Sequence, residues 1–322
     1  MKLPLSQQTI AFLSVMFRAA LVLLLVFASA TPSKGLFNSP LTPYHPSRLP
    51  SAIKWMKFAK QMNSIHRRSP KDLYKYMKLL RSNWMEPSTE AVEALKQADV
   101  VTKSFYAFKG RAEGHSEGEK KGRFGFLFVP GALVNPASYA PILEELSRKS
   151  SATIVCVHAP LRNPMLFSRK KLQRIKDKFK GEVDHWVYGG HSLGSGSLGA
   201  AGFVASDLTA KGLIMWAGTV TGSLNLSERE GLDCLVLLGS EDTIVSPEGK
   251  TEDGISTRDS IKKLPRGTKM HVIEGGNHAG FGNYGAQHFP FPDGERKIVL
   301  EKQQEEAVRV TATFLEQVAG NQ

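Results

Sequence analysis

Residues Trp186–Ser206 read WVYGGHSLGSGSLGAAGFVAS and combine an apolar run, a glycine-flanked serine and a run of small residues. A run with strand character leads into GHSLG at residues 190–194, and a small-residue run with helix character covers Leu193–Ala205. Ser192 therefore falls on a sharp strand-to-helix turn, where the flanking glycines let neighbouring backbone segments approach closely. The predicted helix begins beneath the serine, so its amide groups and dipole are expected to face any negative charge formed there.

Apolar runs of strand length alternate with helical segments on both sides of this turn. The predicted strands are Phe124–Val129, Thr153–His158, His185–Gly189, Gly212–Ala217, Leu232–Gly239 and Thr268–Ile273. The other predicted helices are Ser138–Arg148, Arg169–Phe179, Thr257–Lys263 and Ile298–Val318. This alternation indicates an α/β fold with a mostly parallel central sheet covered by helices on both faces, and the continuous apolar character of the strands agrees with their burial.

A serine nucleophile needs a base, and the base must be oriented by a third group. His278 follows the last predicted strand on a Gly-rich loop, and Asp242 follows the strand before it. Because the carboxyl ends of parallel strands meet at one edge of a sheet, Ser192, Asp242 and His278 are expected to converge there. Glu241 and Asp233 are rival carboxylates, but Glu241 comes one residue early and Asp233 lies at the wrong end of its strand.

Acyl transfer places negative charge on a carbonyl oxygen, so backbone donors are expected beside the serine. The Leu193 N–H is one candidate. The Ala132 N–H, on the loop after the first predicted strand, is the other, with the Leu133 N–H as second choice. The residues expected to line an acyl pocket are Leu133, Met165, Trp216 and Tyr284, with core packing as their competing role.

Four phrases occur in a fixed order along the chain: VPGALVNPASYAPILEEL (129–146), YGGHSLGS (188–195), LLGSEDTIVSPE (237–248) and EGGNHAGFGNYGAQ (274–287). Together they resemble the α/β-hydrolase superfamily, and specifically its small lidless members grouped as the alpha/beta hydrolase fold-5 family. The resemblance implies the α/β-hydrolase fold, the triad of Ser192, Asp242 and His278, and an ester-type hydrolase activity, but it supplies no substrate. A short connection after the strand Gly212–Ala217 predicts that there is no sizeable lid.

These features predict a serine hydrolase that cleaves a carboxylic ester or related acyl bond of a small-molecule substrate through an acyl-serine intermediate. An acyltransferase or thioesterase on the same triad, and a catalytically inactive membrane-associated binding protein with this fold, are the alternatives. No metal or other cofactor is expected, because the sequence has no Walker loop, no His/Cys ligand spacing and no dinucleotide fingerprint. Cys156 and Cys234 lie inside apolar runs, which predicts buried thiols rather than a disulfide.

The first 100 residues are predicted to be organised separately from a hydrolase domain at 101–322. Residues 1–30 carry an apolar run that is interrupted by Arg18 and ends in ASA, which is typical of a signal peptide, with an uncleaved membrane anchor as the alternative. This segment predicts entry into the secretory pathway, membrane association or organelle targeting. Residues 31–100 hold a Pro-rich linker and then a basic helical extension.

Positive charge is concentrated in this extension. The chain carries a net charge of +12, and residues 45–81 hold ten Lys or Arg against one acid, Asp72. Amphipathic helices are predicted at residues 52–63 and 69–84, and a third helix is predicted to start near Ser88. An anionic membrane surface is a candidate partner, a solvated helical face is the plain alternative, and nucleic acid is not favoured.

Overall fold

The computed structural model describes residue 78 and residues 80–110, 123–247, 257–289 and 291–321. The chain divides into two compact units, Met1–Asn83 and Trp84–Gln322. Most of the first unit lies outside the described residues, so the predicted targeting segment, the linker and the basic helices stay predictions. The second unit begins at Trp84, earlier than the domain boundary at residue 101 expected from sequence. Among the described residues, no helix combines the length and the apolar character that a membrane span requires.

A central sheet of eight strands organises the described part of the second unit. Its strands are β1 (Val100–Val101), β2 (Phe105–Phe108), β3 (Phe124–Val129), β4 (Thr153–Val157), β5 (His185–His191), β6 (Gly212–Trp216), β7 (Asp233–Gly239) and β8 (Lys269–Ile273). Their spatial order is β1-β2-β4-β3-β5-β6-β7-β8. Strands β3 to β8 pair in parallel, whereas β2 pairs antiparallel with both β1 and β4. All six predicted strands are thereby confirmed.

Strands β1 and β2 were not predicted from the sequence. β2 has only four residues, FYAF, and all four are buried. A fully buried run of this length shows neither the alternation of a half-buried strand nor the period of a helix, so its sequence pattern does not identify it. Its antiparallel pairing with β4 extends the sheet beyond the parallel part that the sequence predicts.

Helices cover both faces of the sheet. They are α1 (Thr89–Leu95), α2 (Ala140–Lys149), α3 (Arg169–Lys178), α4 (Ala200–Val204), α5 (Thr257–Ile261) and α6 (Leu300–Gly320). Alternate side chains of β3 enter two cores: Phe126 and Phe128 pack with α2 and α6, whereas Leu127 and Val129 pack with α3 and α4. This period of two is the expected consequence of strand geometry, and it confirms the predicted layered α/β architecture.

The helix predicted over Leu193–Ala205 is wrong in its first half. Residues Ser192–Gly194 form a 3-10 turn, and α4 begins only at Ala200. Glycine is unfavourable inside a helix, and Gly199, the residue before α4, has a non-helical backbone with φ −124° and ψ −126°. The amide groups that lie beneath Ser192 therefore belong to a short turn rather than to the end of a long helix dipole.

The connection between β6 and β7 contains no helical lid. Residues 217–232 are all described and form turns that pack on the domain, with Val220 and Leu226 buried. The Val220 N–H donates to Ser260 Oγ (2.6 Å), and the Leu226 N–H donates to Lys263 O (2.7 Å). The prediction that this connection carries no sizeable lid is thereby confirmed. Cys156 and Cys234 are both buried and free, as the sequence predicts.

Candidate active site

Ser192 lies at the end of β5 in a strained backbone conformation. Its φ of 52° places this non-glycine residue in the left-handed region, which is costly and is typical of functional turns. The turn requires glycine on both sides. A Cβ on Gly190 would lie 2.3 Å from Val129 O, and a Cβ on Gly194 would lie 2.2 Å from both Val129 O and Pro130 O. The GHSLG pattern is therefore a steric requirement of the way β5 meets the loop after β3.

Asp242 and His278 form a buried pair on the loops after β7 and β8. His278 Nδ1 lies 2.8 Å from Asp242 Oδ2, and both side chains are almost completely buried. The other oxygen, Asp242 Oδ1, accepts the N–H groups of Ile244 (2.8 Å) and Val245 (2.7 Å). These two bonds fix the carboxylate, so that Oδ2 faces the imidazole. Among the three rival carboxylates, the structure thus places Asp242 against His278, whereas the neighbouring Glu241 accepts from Ser240 Oγ (3.2 Å).

The outer nitrogen of His278 is buried and has no hydrogen-bond partner among the described residues. Since Nδ1–H donates to Asp242, Nε2 carries the lone pair and is the atom that can accept a proton. The Ser192 hydroxyl does not hydrogen-bond to Nε2 in this structure. Ser192 follows the end of β5, which lies at the same sheet edge as the loop after β8, and the ring of the preceding residue His191 lies 4.7 Å from the His278 ring. Such bonds often form only when substrate is bound.

A half-buried carboxylate, which the sequence patterns did not identify, lies near this pair. Asp293 Oδ2 accepts the N–H of Ala279 (2.7 Å), the residue after His278, and Oδ1 accepts the Gly294 N–H (2.7 Å). Burial by itself lowers the pKa of His278, but the charge and hydrogen bond of Asp242 and the charge of Asp293 outweigh it, so the pKa is raised above its ordinary value. Two acidic groups therefore favour the imidazolium form of this histidine.

His191 joins three loops of the site through a chain of buried hydrogen bonds. Its Nε2 lies 3.0 Å from the carbonyl oxygen of His278 and must be the donor, so Nδ1 accepts from the Tyr139 hydroxyl at 2.8 Å. The Tyr139 oxygen in turn accepts the Gly131 N–H (3.1 Å). Burial and the nearby His278 hold the pKa of His191 well below its ordinary value, which keeps the ring neutral. His191 is thus both packed and hydrogen-bonded within the site, and Tyr139 carries no sequence signal for its part in this chain of bonds.

The loop after β3 offers one free amide where the sequence left two choices. The Leu133 N–H donates to Arg162 O at 2.7 Å, so the second-choice oxyanion donor is already used. No acceptor for the Ala132 N–H occurs among the described residues, and Ala132 is half-buried. In the turn that starts at Ser192, the first hydrogen bond is donated by Ser195 N–H to Ser192 O (3.1 Å), so the turn leaves the Leu193 N–H unused. Ala132 and Leu193 stay the predicted donors.

The four residues predicted to line an acyl pocket have different environments. Trp216 is completely buried between Phe128 and Phe281, and its indole N–H donates to Thr311 Oγ1 (3.1 Å). Core packing accounts for that side chain. Leu133 and Tyr284 are buried and Met165 is half-buried. The Tyr284 hydroxyl is buried without a hydrogen-bond partner in the described part of the chain, and its ring lies 6.5 Å from that of His191.

Comparison with known proteins agrees with this architecture. A model of the alpha/beta hydrolase family matches residues 125–305, more than half of the chain. The chain belongs to this family. The match includes Ser192, Asp242 and His278 and begins after β2, so the segment that contains α1, β1 and β2 lies outside it. The comparison with curated protein sequences found no match.

The solved structures to which this chain is similar are remote in sequence. A puromycin-hydrolyzing peptidase of Mycobacterium tuberculosis is 14% identical with a TM-score of 0.43, over 67% of this chain and 37% of the peptidase chain. A butyrate-bound esterase of Thermogutta terrifontis is 14% identical with a TM-score of 0.42, over 70% and 92% of the two chains. A candidate lipase of Acinetobacter baumannii is 11% identical with a TM-score of 0.46, over 73% and 97%. At these identities the likeness concerns the fold alone.

Proposed function

We propose that this protein is a serine hydrolase that cleaves a carboxylic ester or a related acyl bond of a small molecule. The observation that carries the proposal is the buried Asp242–His278 pair, at the same sheet edge as the strained elbow serine. A fixed carboxylate orients one imidazole nitrogen, the opposite nitrogen has no partner among the described residues, and an alcohol follows the end of the parallel strand β5. This combination is what activation of a serine hydroxyl requires.

The proposed reaction runs in two halves. Ser192 Oγ attacks the carbonyl carbon while His278 Nε2 takes its proton, and the imidazolium that forms is stabilised by Asp242. The N–H groups of Leu193 and Ala132 stabilise the oxyanion, and each such donor contributes about 3 kcal/mol to the transition state. His278 then protonates the leaving alcohol, and an acyl-serine remains. In the second half water attacks the acyl-serine, His278 again transfers the proton, and the carboxylic acid leaves.

A panel of p-nitrophenyl esters with acyl chains from acetate to laurate tests this proposal. An acyl-serine route predicts steady turnover, and a burst of p-nitrophenol equal to the enzyme concentration wherever deacylation is slow. Adding thioester substrates and alcohol acceptors to the same assay separates ester hydrolysis from the thioesterase and acyltransferase alternatives. If the pure, folded protein hydrolysed none of these esters or thioesters and transferred no acyl group, the binding-protein alternative would replace the proposal.

The pH dependence of kcat/KM is expected to report the titration of His278. Protonated imidazole cannot accept the Ser192 proton, so activity should fall as the pH drops through the raised pKa of His278. Asp293→Asn removes one of the charges that raise this pKa, and the acid limb should therefore move to lower pH. Asp177→Asn, an exposed acid on α3, serves as the matched control and should leave the limb in place. If the acid limb of the kcat/KM profile stayed fixed or moved to higher pH in Asp293→Asn, the charge of Asp293 would not raise the pKa of His278.

A further inference from the structure

The loop that carries Ala132 is paired with a segment from outside the family match. Met85 lies 40 residues before the start of the matched region at residue 125 and forms an isolated parallel bridge with Val134. Its N–H donates to Leu133 O (3.0 Å), and its carbonyl accepts the Asn135 N–H (2.9 Å). Both neighbours of Val134 are thus tied to one residue. The segment Trp84–Glu86 therefore pairs with this loop as a one-residue parallel bridge.

Arg162 holds the same loop and the same segment at once. Its carbonyl accepts the Leu133 N–H at 2.7 Å. Its guanidinium lies 2.8 Å from the Glu86 carboxylate, donates to Met85 O at 3.3 Å, and stacks 4.3 Å from the centre of the Trp84 ring. Planar stacking together with two hydrogen-bonding edges is specific to arginine. Arg162 therefore binds the segment Trp84–Glu86 through its side chain and Leu133 through its backbone. The segment also binds the loop directly, through Met85.

Three of the residues at or beside these contacts have strained backbone conformations. Leu133, Leu161 and Arg162 are non-glycine residues with φ of 65°, 54° and 54°. Such conformations persist only where the surroundings over-determine them. Asn135 adds a side-chain bond, because its Nδ2 donates to Glu86 Oε2 (3.1 Å). We expect that loss of the segment would let Leu133 relax and would thereby disturb the loop that carries the Ala132 amide.

We propose that Arg162 and the segment Trp84–Glu86 are positioning elements that hold the Ala132 N–H in the direction needed to bind the oxyanion. This inference rests on the proposed acyl-transfer function and extends the active site to residues outside the family match. The Glu86 side chain is largely exposed, whereas the Arg162 side chain is only 15% exposed. Glu86→Gln should therefore cost little stability, and Arg162→Gln more, through lost packing. Glu86→Gln thus separates an effect on the transition state from an effect on folding.

Arg162→Gln tests the proposal, because glutamine keeps a similar length but loses the charge, the two-edged hydrogen bonding and the stacking. Loss of an aligned oxyanion donor predicts that kcat for p-nitrophenyl butyrate falls about 10- to 100-fold, with KM within about twofold of wild type. Affinity for a trifluoromethyl ketone, which mimics the tetrahedral state, should fall in parallel. Glu86→Gln should show the same pattern with a smaller loss. Arg148→Gln removes an exposed arginine that pairs with Glu145 on α2 and is the control.

Hydrogen exchange of the amides of residues 131–135 provides a readout that does not depend on turnover. Exchange at the hydrogen-bonded amides of this stretch, Leu133 and Asn135, should be faster in Arg162→Gln and Glu86→Gln than in wild type or Arg148→Gln, measured well below the unfolding midpoint of each variant. Wild-type turnover with unaltered kcat and inhibitor affinity in both variants would overturn this inference alone. A wild-type protein with no acyl-transfer activity would refute the proposed function and the inference together. If Arg162→Gln did not fold, Glu86→Gln, altered at an exposed carboxylate, would decide the matter.

Discussion

Ser192→Ala is expected to lower kcat for p-nitrophenyl butyrate by about a millionfold while the protein stays folded. The substitution removes the attacking oxygen, and what remains is the modest acceleration that binding and the oxyanion donors give to attack by water. The backbone should not change, because the left-handed conformation with φ of 52° that the turn imposes is about equally unfavourable for alanine and serine. Initial rates with purified protein, together with the thermal unfolding midpoint, measure both expectations.

The matched control for this variant is Ser206→Ala. Ser206 follows α4, is exposed, and donates its hydroxyl hydrogen only to local carbonyl groups of Phe203 and Gly202. Its replacement should leave kcat within about twofold of wild type, as is usual for surface substitutions away from special features. Retention of a substantial fraction of wild-type turnover by Ser192→Ala would show that another group performs the attack.

Asp242→Asn is expected to lower kcat by about 10⁴-fold, because it imposes the wrong tautomer on His278. The N–H groups of Ile244 and Val245 both bind Oδ1 of Asp242, so the asparagine oxygen must occupy that position. Its NH₂ group then points at His278 Nδ1, which has to accept. The proton moves to Nε2, and Nε2 can no longer take the proton of Ser192. Steady-state kinetics at a pH above the acid limb measure the loss without interference from protonation of the imidazole.

Glu241→Gln is the control for this second variant, because Glu241 precedes Asp242 on the same loop and is the carboxylate nearest to it in sequence. It interacts with Ser240 rather than with His278, and its replacement should change kcat by no more than about threefold. A larger loss of kcat in Glu241→Gln than in Asp242→Asn would show that Glu241, and not Asp242, orients His278.

The parts of the fold and site that the sequence predicts are those with a local signature. The parallel strands appear as continuous apolar runs, and the elbow appears as glycines that sterics demand at positions 190 and 194. Asp242 and His278 are predictable because each follows a buried strand, and parallel strands bring their carboxyl ends to one edge. The structure places these two side chains 2.8 Å apart, as that reasoning requires.

The parts that the sequence does not predict depend on contacts between distant residues. Asp293 lies far along the connection from β8 to α6 rather than directly after the strand, so nothing in its own neighbourhood indicates that it reaches the residue after His278. Met85 meets Leu133 and Val134 only after the chain has folded, and no periodic pattern records that pairing. The late start of α4 has a local cause, because Gly199 and the glycines before it disfavour a helix, and α4 begins only at Ala200.

Peptide mapping after reaction with a fluorophosphonate tests whether Ser192 is the activated nucleophile. This reagent phosphonylates a serine only where a base and oxyanion donors activate it. The account predicts one adduct, on Ser192 within the tryptic peptide of residues 181–211, and no adduct in Ser192→Ala or after denaturation. An adduct on a different residue, or turnover of p-nitrophenyl esters by a protein that the fluorophosphonate neither labels nor inhibits, would contradict it.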